Sequence, residues 1–392
     1  MRYSTILRLP LAAVVAISLG ACSSLNPLNW FSGEPEANAP ARLVSFDREV
    51  DLRRRWSVNV GNGQGDDYTR IIPTIDGPSI YAASANGNVV AVDVESGDVL
   101  WRNRLRLSLS GGVGAGTGLV LIGTEEAEVI ALSQLDGSIR WRKRVTSEVL
   151  SAPQTDGSIV AVQTVDDKLA ALDAETGEQL WTYEVNLPPL TLRGTSSPVI
   201  TPNGLVIAGF SNGTVVAVEA DSGVLRWEQR VAVPEGRYDI DRVIDVDGNL
   251  LLDGNRLFAS SYQGNLMAFE LNTGRIVWGR EGSSYHGLEL GFGNIYYCDD
   301  RSYVTAVRNN TETVVWENEE LQYRGITAPT AINNYLAVAD AEGYLHILSQ
   351  IDGRIVGRER IDNDGVRAAL LAHDGSLYAY GNSGRLVALS IR

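Results

Sequence analysis

The sequence predicts an all-β protein: an eight-bladed β-propeller of four-stranded antiparallel blades, its ring closed by the N-terminal strand. Three observations carry the prediction. A twelve-residue stretch recurs, as VAVDVESGDVLW at residues 90–101, AALDAETGEQLW at 170–181 and VAVEADSGVLRW at 216–227. Short β-branched runs bounded by Pro, Asn and Gly surround each copy, with no helical period. The units return every 38–51 residues, close to the roughly 40–45 residues of one propeller blade. At 392 residues the chain is too long for one ordinary core, which stops growing near about 250–300 residues; repetition is the way out.

The N-terminus comes first. MRYSTILRLPLAAVVAISLGAC has Arg2 and Arg8, then an apolar run at residues 9–19. That run is too short to span a bilayer, which needs about 20 residues, and it matches a secretory signal peptide over residues 1–21. Leu19, Gly20, Ala21 and Cys22 resemble the lipobox of bacterial lipoproteins. The resemblance implies that Cys22 is lipidated and heads the mature chain. Ser23, in place of Asp, then implies sorting to the outer membrane. Residues 22–50 are expected to be the lipidated cysteine and a flexible tether, rich at first in Ser, Asn, Pro and Gly. The propeller is expected over residues 51–392.

Within each repeat an acidic residue stands eight before the tryptophan and a glycine four before it. Asp93/Gly97, Asp173/Gly177, Glu219/Gly223 and Glu270/Gly274 all fit. The glycine supplies the positive φ of a tight turn, and the carboxylate accepts nearby backbone N–H groups. A blade cannot bury both faces alone, so the indoles are expected to fill the seams between blades. They are Trp56, Trp101, Trp141, Trp181, Trp227, Trp278 and Trp316. Gly357 takes the eighth position and is expected to leave one seam underfilled. Before Trp316 the turn lacks glycine, leaving Asn309 or Asn310 for the left-handed position. The last unit stops after its third strand, and the strand around Trp56 is expected to complete it, removing an open edge.

A net charge of −15 is unsuited to neutralising nucleic-acid phosphates or an anionic membrane surface. Beyond Cys22, Cys298 is the one remaining thiol. It lies beside Asp299 and Asp300, which disfavour a thiolate, so it reads as a structural strand residue. His286, His346 and His373 fall in different units with no shared motif. No catalytic residue, cofactor or metal-ligand set is predicted. The two longest spacings, 46 and 51, are adjacent. They place insertions at NLPPLTLRGTSS and VPEGRYDIDRVIDVDGN, and inserted loops carry recognition. The alternation of Asp239, Asp241, Asp245 and Asp247 with other residues suggests an extended segment with its carboxylates on one side.

The LD-x-x-TG-x-x-x-W units resemble the repeats of quinoprotein (PQQ) dehydrogenases. The whole pattern, from lipobox through eight blades, resembles the BamB family of outer membrane protein assembly factors, over essentially the entire chain. That resemblance implies a non-catalytic lipoprotein on the periplasmic face of the outer membrane. It would bind the POTRA domains of BamA within the Bam complex and assist insertion of outer-membrane β-barrels. Carried over residue by residue, it assigns partner contacts to Leu190, Leu192, Arg193, Asp245 and Asp247. Two alternatives differ in kind. A PQQ-dependent dehydrogenase typically has a disulfide between adjacent cysteines, which this chain lacks. A lipid-anchored propeller could instead take another envelope ligand, through polar groups at the mouth of its central channel.

Overall fold

A computed structural model describes residues 38–65, 69, 71–235 and 237–392. The signal peptide and Cys22 lie outside the described residues. One compact unit runs from Pro40 to Arg392. It contains eight four-stranded sheets, in which strands pair with their sequence neighbours except that the first strand pairs with the last. Blades 1 to 7 comprise residues 74–104, 109–144, 154–184, 199–230, 251–281, 289–318 and 330–360. Blade 8 takes Leu371–His373, Ser376–Tyr380 and Arg385–Ile391 from the C-terminus and Leu52–Asn59 from the N-terminus. Leu52 stands opposite Ile391 and Asn59 opposite Arg385, so the closing strand is antiparallel along its length.

The residue pattern explains the layering. The two middle strands of a blade are covered on both faces, so they read as unbroken apolar runs: Ser79–Ala83 is buried throughout, as is the centre of Asn88–Asp93. The outer strand Val99–Arg104 alternates instead, with Trp101 inward and arginines outward.

Each tryptophan packs on the next blade. Its indole Nε1–H donates to a backbone carbonyl just after the third strand there, at 2.8–3.3 Å in all seven cases. Except for Trp278, whose neighbouring blade has no such glycine, the turn glycine of that blade lies flat on the ring. Gly177 has φ 74°, and a Cβ there would come within 2.7 Å of Trp141 Cε3. The acidic residue organises the same turn: Asp173 Oδ1 accepts the Glu175 and Thr176 amides at 3.1 and 2.8 Å. Each of these seven tryptophans also pairs across its sheet with an alanine, as Trp101 with Ala91, Trp227 with Ala217 and Trp56 with Ala388.

Two sequence expectations need correction. Gly357 does not leave its seam empty. It pairs with Ile347, larger than the usual alanine, and Val50 closes over it, its Cγ2 2.6 Å from where a Cβ of residue 357 would be. Neither Asn309 nor Asn310 adopts positive φ. The turn before Trp316 still closes as the glycine turns do, with the Arg308 amide on the Thr313 carbonyl at 2.9 Å, like Asp173 on Glu178 at 2.7 Å.

Residues 41–50, read from sequence as tether, form a strap along the outer strand of blade 7. Arg324 Nη1 donates to the Ala41 carbonyl at 2.8 Å and Arg358 Nη1 to that of Val44 at 2.9 Å. The Phe46 ring lies under the Arg358 guanidinium. Both arginines belong to a buried polar cluster. Arg324 Nε pairs with Asp340 at 2.7 Å, His346 Nε2 meets the same carboxylate at 2.9 Å, and Arg358 Nε donates to His346 Nδ1 at 3.1 Å. An Nδ1 that accepts makes the imidazole neutral with its proton on Nε2, in keeping with burial holding the His346 pKa below its ordinary value.

Candidate functional site

An antiparallel meander decides which loops share an end of the ring. Connections between blades and the turns joining second to third strands lie at one end; the glycine turns before each tryptophan lie at the other. Both long insertions are connections between blades, before blade 4 and before blade 5. They therefore emerge together, at the mouth of a central cavity of about 800 Å³. Thr74, Val113, Gln154, Val199, His286 and Leu371, from blades around the ring, line this cavity, and Leu192, Arg193 and Asp247 stand among its walls.

The two insertions touch. Leu192 N–H donates to Asp245 Oδ2 at 2.5 Å. Gly194 passes so close to Asp247 that a Cβ there would lie 2.5 Å from Oδ2. Arg193 reaches sideways to Glu148 at 2.7 Å. Leu190 is exposed, at 44 %, and Leu192 is half-buried. The five residues assigned by resemblance thus come together at one end of the ring, but not as five surface groups.

Asp245 is the exception, with 0 % exposure. The expected extended acidic face does not form. Asp239–Arg242 is a turn of 3-10 helix, and Val243, Ile244, Asp245 and Val246 are all buried. They are held between the turns of blades 4 and 5: the Val246 amide bonds the Phe210 carbonyl at 3.2 Å, and the Tyr262 amide bonds the Asp245 carbonyl at 2.9 Å. Burial, then the neighbouring charge of Asp247 and the more distant Asp167, pushes the Asp245 carboxyl up to about 8. Its Oδ1 has no hydrogen-bond partner.

Sequence reasoning missed three participants. Glu148 comes from the connection before blade 3. Asp167 lies in a turn of blade 3 with left-handed φ of 56°, and its buried carboxylate accepts the Ser211 hydroxyl from blade 4. None belongs to the repeat motif, so the pattern carried no signal for them. Cys298 is buried, and burial with Asp299 alongside pushes its thiol pKa up. Among the described residues no group of three or more His, Cys, Asp or Glu is placed to hold a metal ion.

Comparison with known proteins agrees with this architecture. The family model described as outer membrane protein assembly factor BamB matches residues 39–108, 85–318 and 300–392. The chain is 51 % identical over 383 residues to the outer membrane protein assembly factor BamB of Pseudomonas aeruginosa, covering 97 % of this chain and 98 % of that one. It is 35 % identical over 395 residues to the BamB of Shewanella oneidensis, covering 97 % and 98 %. Among solved structures, the crystal structure of BamB from Moraxella catarrhalis superposes with a TM-score of 0.79 at 28 % identity, covering 87 % of this chain and all of that one. A quinohemoprotein alcohol dehydrogenase from Comamonas testosteroni matches at TM-score 0.68 with 14 % identity, covering 86 % of this chain and 76 % of that one, a likeness of fold alone. With its whole propeller matched by one family model and by relatives of this closeness, the chain belongs to the BamB family of outer membrane protein assembly factors.

Proposed function

We propose that this chain is a non-catalytic scaffold of the outer-membrane β-barrel assembly machinery. It is anchored by a lipid on Cys22 at the periplasmic face of the outer membrane and binds the POTRA domains of BamA. Family membership supports the assembly role. The observation that carries the binding site is the meeting of the two longest insertions at one end of the ring, Leu192 tied to Asp245 and Gly194 against Asp247. Exposed Leu190 and half-buried Leu192 supply apolar area, and Arg193 and Asp247 supply charge of both signs, a mixture suited to a protein partner. Prolines 188 and 189 stiffen the first insertion and lower the cost of ordering it on binding.

The test is a photo-activatable side chain at Leu190, compared with one at Leu135. Leu135 is 88 % exposed but sits in a glycine turn at the opposite end of the ring. In cells, Leu190 should yield an adduct with BamA and Leu135 should not. Adducts at both positions, or only at Leu135, would remove the site. Replacing Cys22 by Ser should release the chain from the membrane fraction; continued membrane retention would remove the anchor.

A further inference from the structure

We infer that Asp245 is a positioning residue: its buried carboxylate holds the backbone of residues 190–193 in place and does not itself touch the partner. The inference rests on the scaffold reading for what that segment binds, and on geometry for the rest. Asp245 has no exposed surface. A group without surface cannot meet a second protein unless the loop above it opens. What it does meet is the Leu192 amide, at 2.5 Å across 53 residues of sequence.

The segment it holds is irregular chain. Over residues 186–195 no backbone–backbone hydrogen bond occurs among the described residues. The first insertion crosses the channel mouth as irregular chain, and such chain is ordered only where something outside it supplies acceptors. Asp245 supplies such an acceptor to Leu192. It is held from behind by its own backbone, through the Tyr262 amide on its carbonyl, and by its buried neighbours Val243, Ile244 and Val246. The second insertion is therefore a rigid shelf, and its carboxylate sets the height of Leu192 above it. Leu190 and Arg193 flank that fixed point, so their directions follow from it. Asp247 differs: it is half-buried and lines the cavity, within reach of a partner. The two aspartates of DVD thus divide the work, Asp245 inward as support and Asp247 toward the channel mouth.

Three proteins decide the matter: wild type, Asp245→Val and Asp245→Asn. Valine keeps the shape and removes the acceptor; asparagine keeps an acceptor that cannot ionise. Amide hydrogen exchange is read without any partner. In wild type, the Leu192 amide should be protected. In Asp245→Val its exchange should accelerate by roughly 10- to 100-fold, the effect of leaving that amide without its acceptor. In Asp245→Asn it should stay near the wild-type rate. Affinity for purified POTRA domains of BamA should follow the same order, lost with valine and kept with asparagine.

Rapid exchange of Leu192 in wild type, needing no variant at all, would overturn the tie. So would unchanged exchange in a folded Asp245→Val protein. If asparagine lost affinity while Leu192 stayed protected, the carboxyl itself would be the contact and the positioning role would be wrong. If wild type bound no POTRA domain, the scaffold reading would fail, and the exchange data would still judge the tie on their own.

Discussion

At the scale of residues, Asp245 shows what a local pattern reveals and what it hides. The letters DVD, alternating with apolar residues, look like an exposed strand. They were legible as part of an insertion because the blade spacing lengthens there. Their burial was not legible, because it is imposed by Phe210 and Tyr262, in turns of two different blades. Burying a carboxyl with Asp247 and Asp167 facing it has a pH consequence. The folded pKa of about 8 stands above the unfolded value of about 3.9, so folding takes up a proton between them. This group's contribution to stability is fully present below about pH 4 and is lost as pH rises through about 8. Asp245→Asn resembles the protonated form at every pH. Its urea midpoint should therefore gain on that of wild type as pH rises from 5 to 9. A constant difference across that range would mean that the carboxyl does not titrate as its surroundings imply.

At the scale of elements, the repeat is a set of matched volumes. Tryptophan on the outer strand faces alanine on its neighbour, and a glycine turn of the next blade lies against the ring. The motif was readable because one contact, repeated, wrote the same letters each time. Exceptions were not readable, since their compensation comes from elsewhere in the chain. Gly357 looked like a hole because Val50, some 300 residues away, could not be assigned to it. Truncating a seam indole such as Trp141 to alanine should cost about 3–5 kcal/mol. Two positive-φ glycines separate backbone strain from packing. Gly118 has open space around it, with φ 89°, and Gly118→Ala should cost about 1–2 kcal/mol of conformational strain. Gly177→Ala bears the same strain and also drives a methyl into Trp141, so it should cost clearly more in denaturant unfolding. Gly357→Ala should destabilise as well, although alanine usually favours a strand over glycine, because Val50 already occupies the space. A stabilised Gly357→Ala protein would return that seam to the underfilled state read from sequence.

At the scale of the molecule, the ring makes one object of eight weak units. Blade 8 is shared between the two ends of the chain, so closure ties residues 52–59 to residues 385–391. The strap over blade 7 extends that tie to Ala41, whose amide donates to the Gln322 carbonyl at 2.8 Å. The fold class, blade count and closing strand were all legible, because they depend on spacing. The strap was not, because residues 41–50 have no repeat to belong to and their hydrogen-bond partners lie in blade 7 and the connection before it. Deleting residues 52–59 should expose a long unpaired edge on blade 8 and give a protein that aggregates on mild heating. The central claim is that the two joined insertions form the binding surface for BamA. Its most direct measurement is calorimetric titration of the mature chain with purified POTRA domains, for wild type and for Leu192→Ala/Arg193→Ala, with near-UV dichroism showing both folded. Saturable binding by wild type, weakened more than roughly 10-fold in the double variant, is the predicted result for loss of a central anchor. No binding by wild type, or equal affinity in the folded variant, would contradict it.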